Sequence, residues 1–226
     1  MNVWAAGALM MALAFATPLL PQAVRAEIER AQIIRFLGVT MVPQRSLAEG
    51  AVGELIVGWE QRPDHHGIVV SFLKGRGAFS PDTEVAILCA IDRAAHAARM
   101  RTDSWTVSFA VAEPAGTVYG DSVSAMAGLA VVALAKGDFI PLDRTMTGTI
   151  AQDGTIGPVT AVSLKIQAAH LKQLRRVVIP DTFDTADSDW FTPFLMQISP
   201  IHSAATAYQA LTDHSFFSNR SVVPAP

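Results

Sequence analysis

The stretch from Gly120 to Pro180, GDSVSAMAGLAVVALAKG…MTGTIAQDGTIGPVTAVSLKIQAAHLKQLRRVVIP, decides how this chain is read. It opens on a serine-bearing turn, Gly120-Asp121-Ser122-Val123-Ser124. The alanine-rich segment Ala125 to Ala135 is apolar on all sides, which predicts a buried central helix, and Lys136-Gly137 supplies a basic last turn and a glycine stop. Thr145 to Ile150 and Thr155 to Val159 predict a hairpin about Gln152-Asp153-Gly154. A helix over Ser163 to Leu174 carries Lys165 near its start, and Arg176 to Ile179 reads as a strand. A hydroxyl at one helix start and a lysine at another, joined by a compact β segment, fit a Ser-Lys nucleophilic pair.

Upstream, Glu27 to Leu47 reads as a strand or a short helix leading into the domain. Ala51 to Trp59 and Gly67 to Leu73 read as strands on either side of a polar turn containing Pro63. Ser80-Pro81-Asp82-Thr83-Glu84 is a helix start, with a capping serine, proline at the first position and acids in the first turn. The apolar face expected behind it runs through Val85, Leu88, Ile91, Ala95 and Ala98, with Cys89 placed in the core. Trp105 to Ala112 reads as the strand leading toward the serine turn, with Trp59 and Trp105 as core residues. Downstream, Ser188 to Met196 reads as a helix interrupted by Pro193, Gln197 to Ile201 as a strand and Ala204 to Leu211 as a last helix. Helices and strands alternate irregularly with hairpins among them, which predicts an α+β fold of mixed sheets packed against helices.

The chain has 226 residues, half of them hydrophobic, and a net charge of −3. That composition supports a sizeable core and argues against disorder. Basic residues are scattered, so no nucleic-acid surface is expected. One cysteine excludes an internal disulfide and a cysteine-rich metal site. His65-His66 adjoin in a turn without spaced partners and read as solvated, so no metal and no cofactor are expected. Val3 to Leu20 is an uncharged apolar run, followed by Val24 and Ala26 at cleavage-like positions. It reads as a signal peptide, which predicts export to the periplasm or outside. The alternative is a membrane anchor with Arg25 and Arg30 behind it. The expected organisation is therefore 1–26 signal or anchor, 27–50 lead-in, 51–212 one domain and 213–226 a loose tail.

Gly120-Asp121-Ser122-Val123-Ser124, Met146-Thr147-Gly148-Thr149, Gly154, Pro158-Val159-Thr160-Ala161, Lys165 with Ala168-Ala169-His170, and Val177-Val178-Ile179-Pro180 occur in this order. As a set they resemble the proteolytic domain of Lon-type proteases, over roughly Gly53 to Leu211. The resemblance implies a serine peptidase with Ser122 as nucleophile, Lys165 as its base and Thr147 as a lysine-orienting hydroxyl; Gly120 and Asp121 are supporting residues of the turn, and the Asp121 carboxylate either opposes an oxyanion or caps the helix. Peptides or unfolded segments are the implied substrates, and the rings formed by Lon relatives imply a homo-oligomer. The GxxxxGK[ST] signature of the ATPase module that usually accompanies such domains does not occur in this sequence, so an ATP-independent peptidase is expected. Departures from the family pattern cluster at the site. Asp121 stands where the family has proline, Val123-Ser124 where it has Ala-Gly, and Thr160-Ala161 where it has a glycine pair. Ser124 is the second hydroxyl of the turn. With bulk and charge placed there, the alternative function is a proteolytically inactive module that binds a peptide or assembles with partners.

Lysine serves as a base only when neutral, and its ordinary pKa of about 10.4 must fall for that. Val162, Leu164 and Ile166 around Lys165 would desolvate the ammonium, and the helix start adds a positive dipole end. Backbone N–H groups at the serine turn are suited to receive a developing oxyanion.

Overall fold

The computed structural model describes residues 28–42, 47–113, 116–182 and 193–217. The N-terminal signal-or-anchor segment, most of the helix expected over 188–196 and the end of the tail lie outside the described residues.

The open alternative upstream resolves as a strand. β1 (Ile28–Val42) and β2 (Leu47–Gln61) pair antiparallel along their whole length, from Ile28 with Gln61 to Val42 with Leu47. Ile, Val, Thr and Phe in β1 fit a pleated, half-buried surface. Ile34 and Phe36 enter the main core, while Leu37 points to the other face and enters a smaller cluster. β3 (Val69–Leu73) and β5 (Trp105–Glu113) complete a four-stranded sheet in the order β1-β2-β5-β3. The strands flanking the Pro63 turn therefore do not pair with each other, because β5 lies between them, antiparallel to β2 and parallel to β3. Trp105, Val107, Phe109 and Val111 alternate inward along β5. Trp59 and Trp105 meet edge to face at 5.9 Å, as core residues.

β4 (Ala78–Phe79) pairs parallel with β6 (Thr117–Val118). α1 (Pro81–Ala97) begins at Ser80, whose hydroxyl accepts from the Thr83 N–H, as its capping sequence requires. Its buried face differs from the one expected. Thr83, Ile87, Ala90, Ile91, Ala94 and Ala95 are buried, whereas Val85 and Leu88 are 59% and 41% exposed and Cys89 is exposed. The physical reason is what α1 packs against. α1 rests on another helix at close range, so the face it buries is centred on Ala90 and Ala94, flanked by Ile87 and Ile91, and Val85 and Leu88 fall outside it.

That second helix is α2 (Ser124–Lys136), in which every residue from Ser124 to Leu134 is buried. Ala90 of α1 lies against Gly128, where an added Cβ would sit 2.7 Å from the Ala90 carbonyl oxygen. α2 stops at Gly137, whose φ of 77° is the left-handed cap that glycine favours. β1 holds its C-terminal half: Arg30 donates to the carbonyls of Leu134 and Ala135, at 2.6 and 3.1 Å, and Gln32 donates to Ala130. The guanidinium complements the negative helix end and lies 5.4 Å from the Trp59 ring centre.

The strand expected over Thr145 to Ile150 is interrupted at Thr147-Gly148. β7 (Arg144–Met146) pairs parallel with β10 (Arg176–Pro180), whereas β8 (Thr149–Ile150) forms the expected hairpin with β9 (Ile156–Gly157). α3 (Val162–Leu171) precedes β10, and β11 (Gln197–Ile201) pairs with the other side of β10, also parallel. α4 (Ala204–Thr212) closes the described chain. Pro193 to Met196, the described end of the expected helix, is a turn. Among the described residues, four helices on several small sheets, parallel and antiparallel, make a mixed α/β architecture.

Gly128→Ala gains helix propensity of about 1 kcal/mol but places a methyl group on backbone that cannot retreat. The expected outcome is a net loss of about 1–2 kcal/mol, measured by urea unfolding.

Candidate active site

Ser122 lies in the loop between β6 and α2, two residues before the first helical residue. Three sets of hydrogen bonds fix this loop. The buried Thr83 hydroxyl of α1 contacts the carbonyls of Val118 and Gly120 at 3.2 and 2.9 Å. Gly120 adopts φ of 84°, a conformation that favours glycine. The Ser122 carbonyl accepts from the Gly148 N–H at 2.9 Å and the Thr147 hydroxyl at 3.3 Å, and Ala125 N–H returns a bond to the Gly148 carbonyl. The break between β7 and β8 is thus the place where the sheet docks on the serine loop.

Thr147 is fully buried and links the two halves of the site. Its N–H donates to Val178 of β10, its hydroxyl donates to Ser122, and the same oxygen accepts from the Lys165 amine at 3.1 Å. Lys165 is only 4% exposed and projects from the first turn of α3, whose Val162 and Ile166 are buried beside it. The turn ahead of α3 departs from ordinary backbone at Ala161, with φ of 58°, a conformation that a residue with a Cβ adopts at a cost of about 1 kcal/mol.

Ser122 and Lys165 both line one cleft of about 340 Å³. Gly120, Asp121 and Val123 form the serine side, Pro158, Val159 and Thr160 the lysine side, and Phe36 to Val39 of β1 a third wall. All five residues singled out in the sequence therefore converge: four line the cleft and Thr147 ties its two sides together. Ser124, the second hydroxyl of the turn, is buried as the first residue of α2. No histidine lines the cleft. Among the described residues no group of three or more His, Cys, Asp and Glu could hold a metal ion.

The backbone donors differ in position from a simple helix-start picture. The Ser124 and Ala125 N–H groups are already bonded, to Asp121 and Gly148. Among the described residues, the N–H groups of Ser122 and Val123 have no protein acceptor, and these two lie at the cleft.

Two positioning residues escaped the sequence reading. Thr83 was read as part of a cap, yet its hydroxyl also secures the serine loop. Gly50 of β2 lies under α3, where an added Cβ would fall 1.9 Å from the Leu164 carbonyl oxygen, one residue before the lysine. A glycine inside a strand is a signal of close backbone approach, so Gly50 was available to be found.

Residues 83–189, which contain Ser122, Thr147 and Lys165, match the family of the Lon protease (S16) C-terminal proteolytic domain. The chain resembles Lon-type proteolytic domains across this span, and the family matched is that of a protease's proteolytic domain. A 69-residue segment is 42% identical to the peroxisomal Lon protease homolog 2 of Caenorhabditis elegans, covering 30% of this chain and 9% of that protein.

Gly50→Val should displace α3 and with it the Lys165 amine, at a cost of about 3 kcal/mol in stability. Urea unfolding measures the loss, and far-UV circular dichroism at low denaturant should still report the native helix content.

Proposed function

We propose that this chain is a serine peptidase in which Ser122 is the nucleophile and Lys165 its general base. The observation that carries the reading is the Lys165 amine, 4% exposed and held by Thr147 in the cleft that Ser122 also lines. Burial disfavours the ammonium form, and a neutral amine can take the proton of a serine hydroxyl. The amine donates to Thr147, and in its neutral form an amine can accept a proton.

In the proposed reaction the Ser122 oxygen bonds to the peptide carbonyl carbon while its proton passes to Lys165 Nζ. The carbonyl oxygen becomes an oxyanion, which the N–H groups of Ser122 and Val123 are free to stabilise. Collapse breaks the C–N bond, and the lysine ammonium returns the proton to the leaving amine. Water then attacks the acyl-enzyme, giving a proton to Lys165, and the ester C–O bond breaks as that proton passes to the Ser122 oxygen, restoring the hydroxyl and the neutral amine and releasing the acid. No nucleotide enters any step. Peptides and unfolded segments are the proposed substrates, since an extended chain must reach a cleft of this size.

Ser122→Ala and Lys165→Ala should each lower peptide cleavage by about 10³-fold or more, with far-UV circular dichroism unchanged. Lys165→Arg should be as inactive, because a guanidinium does not deprotonate. Wild-type kcat/KM should rise with pH along a single-proton limb as the amine loses its proton. Full activity in either alanine variant would end the assignment.

The pattern of residues 3–26 supports a proposal that the domain works outside the cytoplasm after removal of that segment. N-terminal sequencing of the mature protein should begin at Glu27, and a retained Met1 would overturn this.

A further inference from the structure

The cleft has a charge asymmetry that peptide hydrolysis does not require. Its lining mixes polar and apolar surface, the apolar part including Phe36, Leu37, Val118, Val159 and the ring of Tyr119. Among the described residues, the lining contains two ionisable groups besides the tyrosine phenol, Lys165 and Asp121. Lys165 is buried, whereas Asp121 is exposed and, among the described residues, its carboxylate makes no ion pair or hydrogen bond. Asp121 directly precedes Ser122, so their Cα atoms are about 3.8 Å apart. Both residues line the same cleft, so a side chain flanking a bond attacked by Ser122 enters a space that Asp121 also lines. Tyr119, two residues earlier and 75% exposed, adds an aromatic face at the same wall.

We infer that the cleft selects a basic residue, arginine before lysine, next to the scissile bond. This rests on the peptidase reading above and adds the substrate class. A long aliphatic stem suits the apolar part of the lining, while a cationic tip meets an unpaired carboxylate at the rim. A guanidinium also stacks on a phenol ring and bonds a carboxylate in bidentate fashion, which an ammonium does not. An acidic residue at the same position would face Asp121 with like charge and be disfavoured. The family's proline at this position offers no such group, so the preference belongs to this chain.

The test uses one host peptide in which the residue on either side of the cleaved bond is, in turn, Arg, Lys, citrulline, Leu or Glu. Citrulline keeps the shape of arginine and removes its charge. In at least one of the two series, kcat/KM for Arg should exceed that for citrulline by about tenfold, with Glu lowest, and 0.5 M salt should shrink the ratio. Asp121→Asn should bring Arg and citrulline within about twofold of each other, and Asp121→Lys should reverse the order of Arg and Glu. Binding of the same peptides to Ser122→Ala, followed by fluorescence anisotropy, reads the preference without turnover. Equal kcat/KM and equal binding for Arg and citrulline in both series overturn the inference while leaving the peptidase reading intact. Tighter binding of Arg with no cleavage by the wild type supports the inference and overturns the peptidase reading.

Discussion

A lysine amine almost sealed from water constrains everything around it. Such a group is tolerated in a protein interior when it is neutral or well bonded, and either condition demands neighbours that do not move. Thr147 meets the demand for Lys165 by accepting from the amine and donating to the Ser122 carbonyl. One hydroxyl therefore sets both the direction of the amine and the height of the serine loop. Breaking β7 from β8 at this residue gives up two positions of regular ladder pairing and yields the junction in exchange.

Small residues make the rest of that junction dense. α2 is rich in alanine, with a glycine and a few branched residues, so α1 approaches it backbone to backbone at Gly128. Gly50 does the same between β2 and α3. Close-packed interfaces of this kind have few soft degrees of freedom, and displacements are transmitted rather than absorbed. The loop that carries Ser122 and the helix that carries Lys165 are each held by one such contact.

Much of this was legible in the sequence because the relevant signals are local. The all-apolar run Ala125 to Ala135 could only be a buried helix, Gly137 its stop and Ser80 the cap of α1, and the structure has each of them. Ser122, the Met146-Thr147-Gly148 triplet and Lys165 could be singled out because they lie in one family's order, and the structure brings Ser122 and Lys165 to one cleft, with Thr147 bonded to both sides. What was misread depends on partners distant in the chain. Val85 and Leu88 look like a core stripe until α1 is known to rest on Gly128, and Cys89 went with them. Likewise, nothing between Gln61 and Val69 announces that β5, more than thirty residues on, will separate β2 from β3.

β1 touches both ends of the same machinery. At one end Arg30 grips the last carbonyls of α2, and eight residues later Gly38 and Val39 form a wall of the cleft that lies ahead of the helix's first residue. The strand thus works as a ruler laid against the helix, with its zero mark at a cation and its far mark at the mouth. A slip of one residue would turn every side chain to the opposite face, withdrawing the cation and reshaping the wall together. The width of the opening and the seating of the helix are consequently one adjustment, not two.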